Sequence, residues 1–372
     1  MLYPTFKIDK PIRLISLFSG YDSQALALKY LGVDFEHYKT CEWAVKSIQA
    51  LKDLHFENDN TDYSKNLTDD EVKEYLLKKG ISSNYNDPMS KEQIKRLKNH
   101  RQIYNNIQAT NNLVNIQQVK GKDLEIKETN KYCYIMTYSF PCQDLSLAGK
   151  RQGMSDTSTR SGMLWEVERI LGELEEKPQV LLMENVIQVH GEGAKEDFNK
   201  WQLRLEELGY KNYWQDLIAT DYGIPQTRNR TFMVSILGDY NYTFPKPIKL
   251  EKKLKDFLED NVDEKYFLSQ KMIEGMLNTK FHQYQLKNRL QDAGGVIDTL
   301  TTATGERCPH CIEVYPKLPI KNATKKGYLE AEVGDGIDIS SRMEYHRGNV
   351  QKGKCQTIST MGGENVGVVV NE

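Results

Sequence analysis

Cysteine is scarce. Six residues in a chain of 372 cannot staple a protein this long, which excludes a disulfide scaffold and fits a reducing compartment. Long apolar runs are missing as well: no stretch approaches the roughly 20 apolar residues that a membrane span requires. The opening residues lack the charged start, apolar block and small-residue cleavage site of an export signal. The expectation is a soluble, cytoplasmic protein with no membrane contact. Net charge of one sign is absent too, since 50 Lys and Arg stand against 52 Asp and Glu, a balance of −2. Such a chain does not advertise a polyanionic partner, so any contact with nucleic acid depends on where its basic residues lie. What is present, 39% hydrophobic and 10% aromatic residues, excludes disorder and supports a packed core.

At about 150 residues per domain, the length predicts two or three domains. Arg13 to Phe18 reads as a strand, Ser19-Gly20 as a turn and Ser23 to Tyr30 as a helix, the opening of a nucleotide-type α/β unit. A second strand, His37 to Cys41, ends at Glu42-Trp43, and a helix follows from Ala44 to Leu51. Residues 52–112 turn polar and predict an insertion on the sheet's edge, with amphipathic helices at Asp69 to Lys79 and Ser90 to Gln108. Strands are expected at Tyr132 to Tyr138, Val180 to Met183, Tyr213 to Ala219 and Thr231 to Leu237, with helices at Met163 to Glu175 and Phe198 to Leu208. This alternation argues an α/β fold with a doubly wound, mostly parallel sheet of Rossmann-like type, in a domain spanning residues 1–238.

From 239 to 372 the pattern becomes Pro-punctuated and β-rich without βαβ spacing, which predicts a smaller, irregular second domain. It holds a weak repeat: Asp298 to Thr302 leads to Cys311-Ile-Glu-Val314, as Gln356 to Thr360 leads to Val366 to Val370. Its residues 315–355 carry eight Lys and Arg against five Asp and Glu, compatible equally with a phosphate-facing surface and with a solvated loop.

Several residues fall where α/β enzymes place their chemistry, at the carboxyl ends of strands. Phe18-Ser19-Gly20 sits between a strand and a helix, where backbone amides can meet a nucleotide, or where an ordinary turn lies. Glu42 offers a carboxylate to ribose hydroxyls and Trp43 an indole to adenine. Cys142, held by Pro141 at a strand end, is either a nucleophile or a buried apolar thiol. Glu184 ends the neighbouring strand, and Arg228 and Arg230 open another. Singly these would be a cap and a solvated pair; their shared strand-end position points to one crevice.

In order along the chain, these segments resemble the bacterial and phage DNA (cytosine-5) methyltransferases over residues 12–237. Phe18-Ser19-Gly20 is similar to that family's cofactor loop and Glu42-Trp43 to its second motif. Ser139-Phe-Pro-Cys-Gln-Asp-Leu-Ser146 matches the nucleophile loop, Glu184-Asn-Val186 the acid motif and Gln226-Thr-Arg-Asn-Arg230 the Gln-x-Arg-x-Arg motif. Thr157 to Trp165 resembles the segment after the nucleophile.

The resemblance implies S-adenosylmethionine as cofactor, held by Phe18, Ser19, Gly20, Glu42, Trp43, Asn115, Ile116, Pro141 and Leu164. It implies Cys142 as nucleophile, Glu184 as acid, and Arg228 and Arg230 on the base and its phosphate. Gln143, Ser146, Asn185 and Gln226 would face the substrate, a cytosine flipped from double-stranded DNA. The loop from Asp144 to Arg160, with Gly149 and Gly153, would close over it, and loops of the second domain would read the target sequence in the major groove. The role implied is restriction-modification or phage self-protection. RNA as substrate, and a catalytically impaired partner subunit, stand as alternatives.

This chain departs from the family pattern in three places. Asp22 stands where a second glycine is usual, and Asn115 where an aspartate is expected, with Asp123 its rival. The usual Leu-Thr-x-x-Glu and Gly-Asn-Ser-Val segments are missing before Glu372, which suggests a second polypeptide supplying them. Cys308-Pro-His-Cys311, with Cys355 and His346 nearby in sequence, lacks a second pair at zinc-ligand spacing; a recognition-domain strand is preferred, and no metal is expected.

Overall fold

The computed structural model describes residues 3–141, 161–259, 263, 290–297, 299, 311–313, 317–321, 324, 328–332, 336–338, 349–351 and 366–368. The chain divides into two compact units, the first made of residues 1–223 and 228–249, the second of 224–227 and 250–372. The second unit thus takes up residues 250 onward together with the short segment 224–227. Residues 238–249 stay with the first unit because they are tied to it: the Asn241 amide donates to Pro4, Tyr213 donates to the Tyr240 carbonyl, and the Ile248 amide donates to Asp221.

A six-stranded sheet forms the first unit, in the order β2-β1-β3-β4-β6-β5. Its strands are β1 (Ile12–Leu17), β2 (Phe35–Cys41), β3 (Cys133–Tyr138), β4 (Val180–Asn185), β5 (Tyr210–Ile218) and β6 (Asn229–Leu237). The first four are parallel, with Leu17 level with Cys41 and Tyr138, and Tyr138 level with Met183. The apolar runs of the central strands β1 and β3 are buried almost throughout, as inner parallel strands require. The last strand reverses: β6 pairs antiparallel with both β4 and β5. A parallel return needs a crossover of a dozen residues or more, and residues 219–228 supply only a short link.

The helices of this unit include α1 (Ser23–Tyr30), α2 (Val45–His55), α6 (Leu164–Glu173) and α7 (Lys195–Glu207), of which α6 and α7 bury their apolar faces in the sheet's core. Trp201 of α7 is fully buried and its indole donates to the Tyr138 hydroxyl at 3.1 Å, so the largest core side chain is also a satisfied one. The insertion joins at β2, the edge strand, where the Thr40 amide donates to Asn111 and Thr40 accepts from Leu113. It carries α3 (Asp69–Lys79), α4 (Lys91–Arg96) and α5 (His100–Ala109). With Ile48 of α2 these form a second core of Val72, Leu76, Ile81, Ile94, Ile103, Ile107 and Val114. Helix α3 begins at a Thr68/Glu71 capping box and ends at Gly80 with φ 69°, the start and stop the sequence encodes. The single helix expected over Ser90 to Gln108 is two, because Leu97 turns extended (ψ 114°) and ends α4.

In the second unit the described strands are β7 (Leu290–Asp292), β8 (Cys311–Glu313), β9 (Lys317–Lys321), β10 (Tyr328–Glu332), β11 (Gly336–Asp338), β12 (Asn349–Gln351) and β13 (Val366–Val368). β9 and β10 form an antiparallel hairpin, and β11 lies between β12 and β13. Both copies of the weak repeat thus end in a strand.

Candidate active site

The parallel register brings the ends of β1, β2, β3 and β4 to one edge of the sheet. Between β1 and β3 the strand order changes direction, the switch point at which open α/β sheets leave a crevice. Phe18, Gly20 and Asp22 alternate through the left-handed region, with φ of 54°, 55° and 57°, so the chain leaves β1 in a tight turn closed by the Asp22 amide on the Ser19 carbonyl at 2.7 Å. A Cβ placed on Gly20 would meet nothing within 4 Å, which leaves open space over this residue. The Ser19 hydroxyl oxygen is buried with no partner among the described residues. A buried polar atom beside open space suits a polar ligand.

Asp22 explains the departure from the second glycine. A non-glycine residue in this conformation costs about 1–2 kcal/mol, and aspartate tolerates it best because its side chain bonds locally. Here Oδ1 caps α1 by accepting from the Ala25 amide at 3.1 Å, and Oδ2 accepts from His37 Nε2 at 2.7 Å. Burial opposes ionisation of this carboxyl, yet the bonds from His37, Ser16 and Ala25 hold it below the ordinary carboxylate range.

Glu42 braces the same turn. Its carboxylate accepts from the Gly20 amide at 2.9 Å and the Ala44 amide at 2.7 Å. Burial pushes its carboxyl above the usual range, against the pull of the Ala44, Gly20 and Trp43 amides. The backbone of Glu42 is fixed in turn by the Asn112 side chain, which accepts from its N–H and donates to its carbonyl, both at 3.0 Å. Glu42→Ala would strand two amides and is expected to destabilise the protein by about 2 kcal/mol. A urea midpoint equal to that of the parent chain would show that the brace contributes nothing. Trp43 packs against the insertion's core.

Asn115, placed at the adenine by resemblance, lies in a strained segment: Val114 before it has φ 72°, an outlier for a β-branched residue. The Asn115 side-chain carbonyl accepts from the Gln117 amide at 3.1 Å, and Ile116 is buried in the main core. Asp123 closes a separate local turn, accepting from the Lys120 amide.

At the end of β4, Glu184 Oε1 lies 3.2 Å from Arg230 Nε and 3.4 Å from Arg228 Nη2. The antiparallel register sets Glu184 opposite Phe232 and Asn185 opposite Thr231, which is why two arginines at the start of β6 reach the last carboxylate of β4. Side-chain exposure separates them: Arg230 is 19% exposed and Arg228 41%, with Glu184 at 17%. Arg230 is thus the enclosed partner and Arg228 the open one.

Two of the expected site residues are turned inward. Asn185 is buried, donating to the Phe140 carbonyl at 3.1 Å and accepting from the Val186 amide. It ties the end of β4 to the segment that leads into Pro141. Leu164 is enclosed in the core with Val167, Ile170 and Leu171, because it belongs to the apolar face of α6. Gln226 falls in the second compact unit, where it pairs with Ile297. Cys142, Gln143, Ser146 and the loop to Arg160 lie outside the described residues, as do Cys308, His346 and Cys355. Cys41 and Cys133 are poor rivals as nucleophiles, since burial pushes the Cys133 thiol up to about 11 and that of Cys41 higher still. Asn112, His37 and His55 carry no local sequence signal; only the folded contacts reveal them.

Residues 88–326 match the C-5 cytosine-specific DNA methylase family. The chain is 36% identical over 266 residues to the type II methyltransferase M2.ScrFI of Lactococcus lactis subsp. cremoris, covering 70% of this chain and 71% of that one. It is 37% identical over 266 residues to the orphan methyltransferase M.SssI of Spiroplasma monobiae, covering 70% and 68%. The fold is similar to that of the S. pombe Dnmt2 methyltransferase, with a TM-score of 0.51 at 13% identity over 82% of this chain and 77% of that one. None of these comparisons supports a second polypeptide. Among the described residues, no helix is long and apolar enough to cross a membrane.

Proposed function

We infer the mechanism from the family to which this chain belongs: it is a C-5 cytosine-specific DNA methylase, a DNA cytosine-5 methyltransferase. The observation that carries our residue assignments is the common sheet edge at which the Phe18 to Gly20 turn, Glu42, Pro141 and the Glu184 carboxylate with its two arginines stand. S-adenosylmethionine supplies, when bound, an electrophilic methyl group on a sulfonium sulfur. The orphaned Ser19 hydroxyl and the open space over Gly20 fit such a ligand. Phe18, Ser19, Gly20, Glu42 and Trp43 would hold it, with Asn115, Ile116 and Pro141 beside them.

Carbon 5 of cytosine is a poor nucleophile, so in our reading the Cys142 thiolate first adds to carbon 6 and drives ring electrons toward carbon 5 and nitrogen 3. Glu184 gives a proton to nitrogen 3, Arg230 holds the base's carbonyl oxygen, and the more exposed Arg228 takes the neighbouring phosphate. Once carbon 5 is methylated, departure of its proton to a base re-forms the double bond and expels the Cys142 thiolate. The proton on nitrogen 3 returns to Glu184. These ring atoms are closed off in a stacked duplex, so the target base is flipped out. We assign sequence reading to the second unit. The bacterial type II relatives support a modification or self-protection role in the cytoplasm of a bacterial or phage-infected cell.

Trapping tests this reading. Incubation of the full chain with S-adenosylmethionine and mixed-sequence duplexes carrying 5-fluorocytosine is expected to give a covalent protein–DNA adduct, mapped by mass to the peptide holding Cys142. An adduct on another residue would overturn the nucleophile assignment.

A further inference from the structure

We propose that Asp22, His37 and His55 form a clamp that holds the cofactor turn in its binding shape, the two histidines acting as positioning residues; this rests on the assignment of Phe18 to Gly20 to S-adenosylmethionine. A turn centred on glycine does not set its own shape, because glycine populates both signs of φ with little preference. The direction of the Ser19 and Gly20 backbone must therefore be fixed from outside.

Three elements converge to do this on two consecutive residues, Tyr21 and Asp22. From β2, His37 bonds the fully buried Asp22 carboxylate at 2.7 Å. From the last residue of α2, His55 Nε2 bonds the Tyr21 carbonyl at 2.8 Å. From α1, the Ala25 amide holds the other Asp22 oxygen. The acceptors fix the proton positions. A carboxylate and a carbonyl only accept, so both Nε2 atoms carry hydrogen. In the neutral ring His55 Nδ1 is then the unprotonated nitrogen, and it is buried with no partner among the described residues. Burial, which lowers the His55 pKa against the pull of the Tyr21 carbonyl, favours that neutral ring. The two imidazoles brace each other edge to face at 5.2 Å, and His37 stacks on Phe56 at 5.0 Å. The chain thus replaces a flexible glycine with an anchored aspartate and supplies the anchor from β2 and α2.

The test uses the full chain, with S-adenosylhomocysteine binding measured by calorimetry beside methyl-transfer kinetics. His37→Phe keeps the ring stack and removes the donor. We expect the Kd for S-adenosylhomocysteine and the KM for S-adenosylmethionine to rise about tenfold, with kcat at saturating cofactor within about twofold of the parent. His37→Gln, whose amide can donate to Asp22, should recover most of that loss. Asp22→Gly, which adopts the same φ without strain, carries the same expectation should His37→Phe not fold. Parental affinity in both His37→Phe and Asp22→Gly would overturn the clamp, as would a fall confined to kcat. Failure of the parent chain itself to bind S-adenosylhomocysteine would overturn the cofactor assignment beneath it, a result distinct from failure of the clamp alone.

Discussion

Cys142→Ser is expected to lower methyl transfer by about 10⁴-fold or more while leaving duplex binding within about threefold. The asymmetry follows from what each group does. An unperturbed thiol with a pKa near ~8.5 is a few per cent thiolate at neutral pH, and the thiolate is the nucleophile. A serine hydroxyl has no comparable anion fraction, and no step of the mechanism gives it one. Binding, by contrast, draws on phosphate and base-edge contacts distributed over many residues. The buried bond from Asn185 to the Phe140 carbonyl holds the chain just before the nucleophile, so Asn185→Ala should also slow transfer, by a smaller factor, through loss of that position. Methyl incorporation into mixed-sequence duplex, measured beside a mobility-shift titration, separates the two effects. Equal methylation by Cys142→Ser would exclude covalent catalysis, and a parallel loss of binding would show that the substitution had damaged the fold.

The grouping of the candidate residues was legible in the sequence wherever they fall at strand ends. Parallel strands must finish in turns, and in an open α/β sheet those turns share one edge, so strand ends alone group Ser19-Gly20, Glu42, Pro141 and Glu184. Helix α3 was legible for a local reason as well, its Thr68/Glu71 box and Gly80 stop. Contacts between distant segments were not. Asn112 locks Glu42 across 70 residues, and nothing in either neighbourhood announces it. Asn185 and Leu164 read as ligand-facing by motif, whereas packing turns both inward. The reversal of β6 depends on a link too short for a crossover, which an alternating pattern of strands and helices does not reveal. The break at Leu97 likewise lies inside a sequence whose periodicity suits one longer helix.

Glu184→Gln is expected to lower kcat by about 10²–10⁴-fold, the range for losing a positioned general acid. Glutamine preserves the length of the side chain and keeps one oxygen for the arginines, so binding of duplex and cofactor should change little. What it cannot do is give a proton to ring nitrogen 3 and take it back. The two guanidiniums predict a graded pattern around this change. Arg230 is largely enclosed and sits 3.2 Å from Glu184, so Arg230→Ala removes both the clamp on the carboxylate and the group assigned to the base's carbonyl oxygen. Arg228 is more open and more distant, and an exposed pair of that kind contributes about 0–1 kcal/mol. The expected order of single-turnover rates is therefore parent, Arg228→Ala, then Arg230→Ala and Glu184→Gln together at the bottom. The salt dependence of DNA binding should weaken mainly in Arg228→Ala, if that residue holds a phosphate. Single-turnover rates on 5-fluorocytosine duplex isolate the addition step from product release. A Glu184→Gln variant within about twofold of the parent in that assay would remove Glu184 from the chemistry and leave the Glu184–Arg230 pair as a structural tie between β4 and β6.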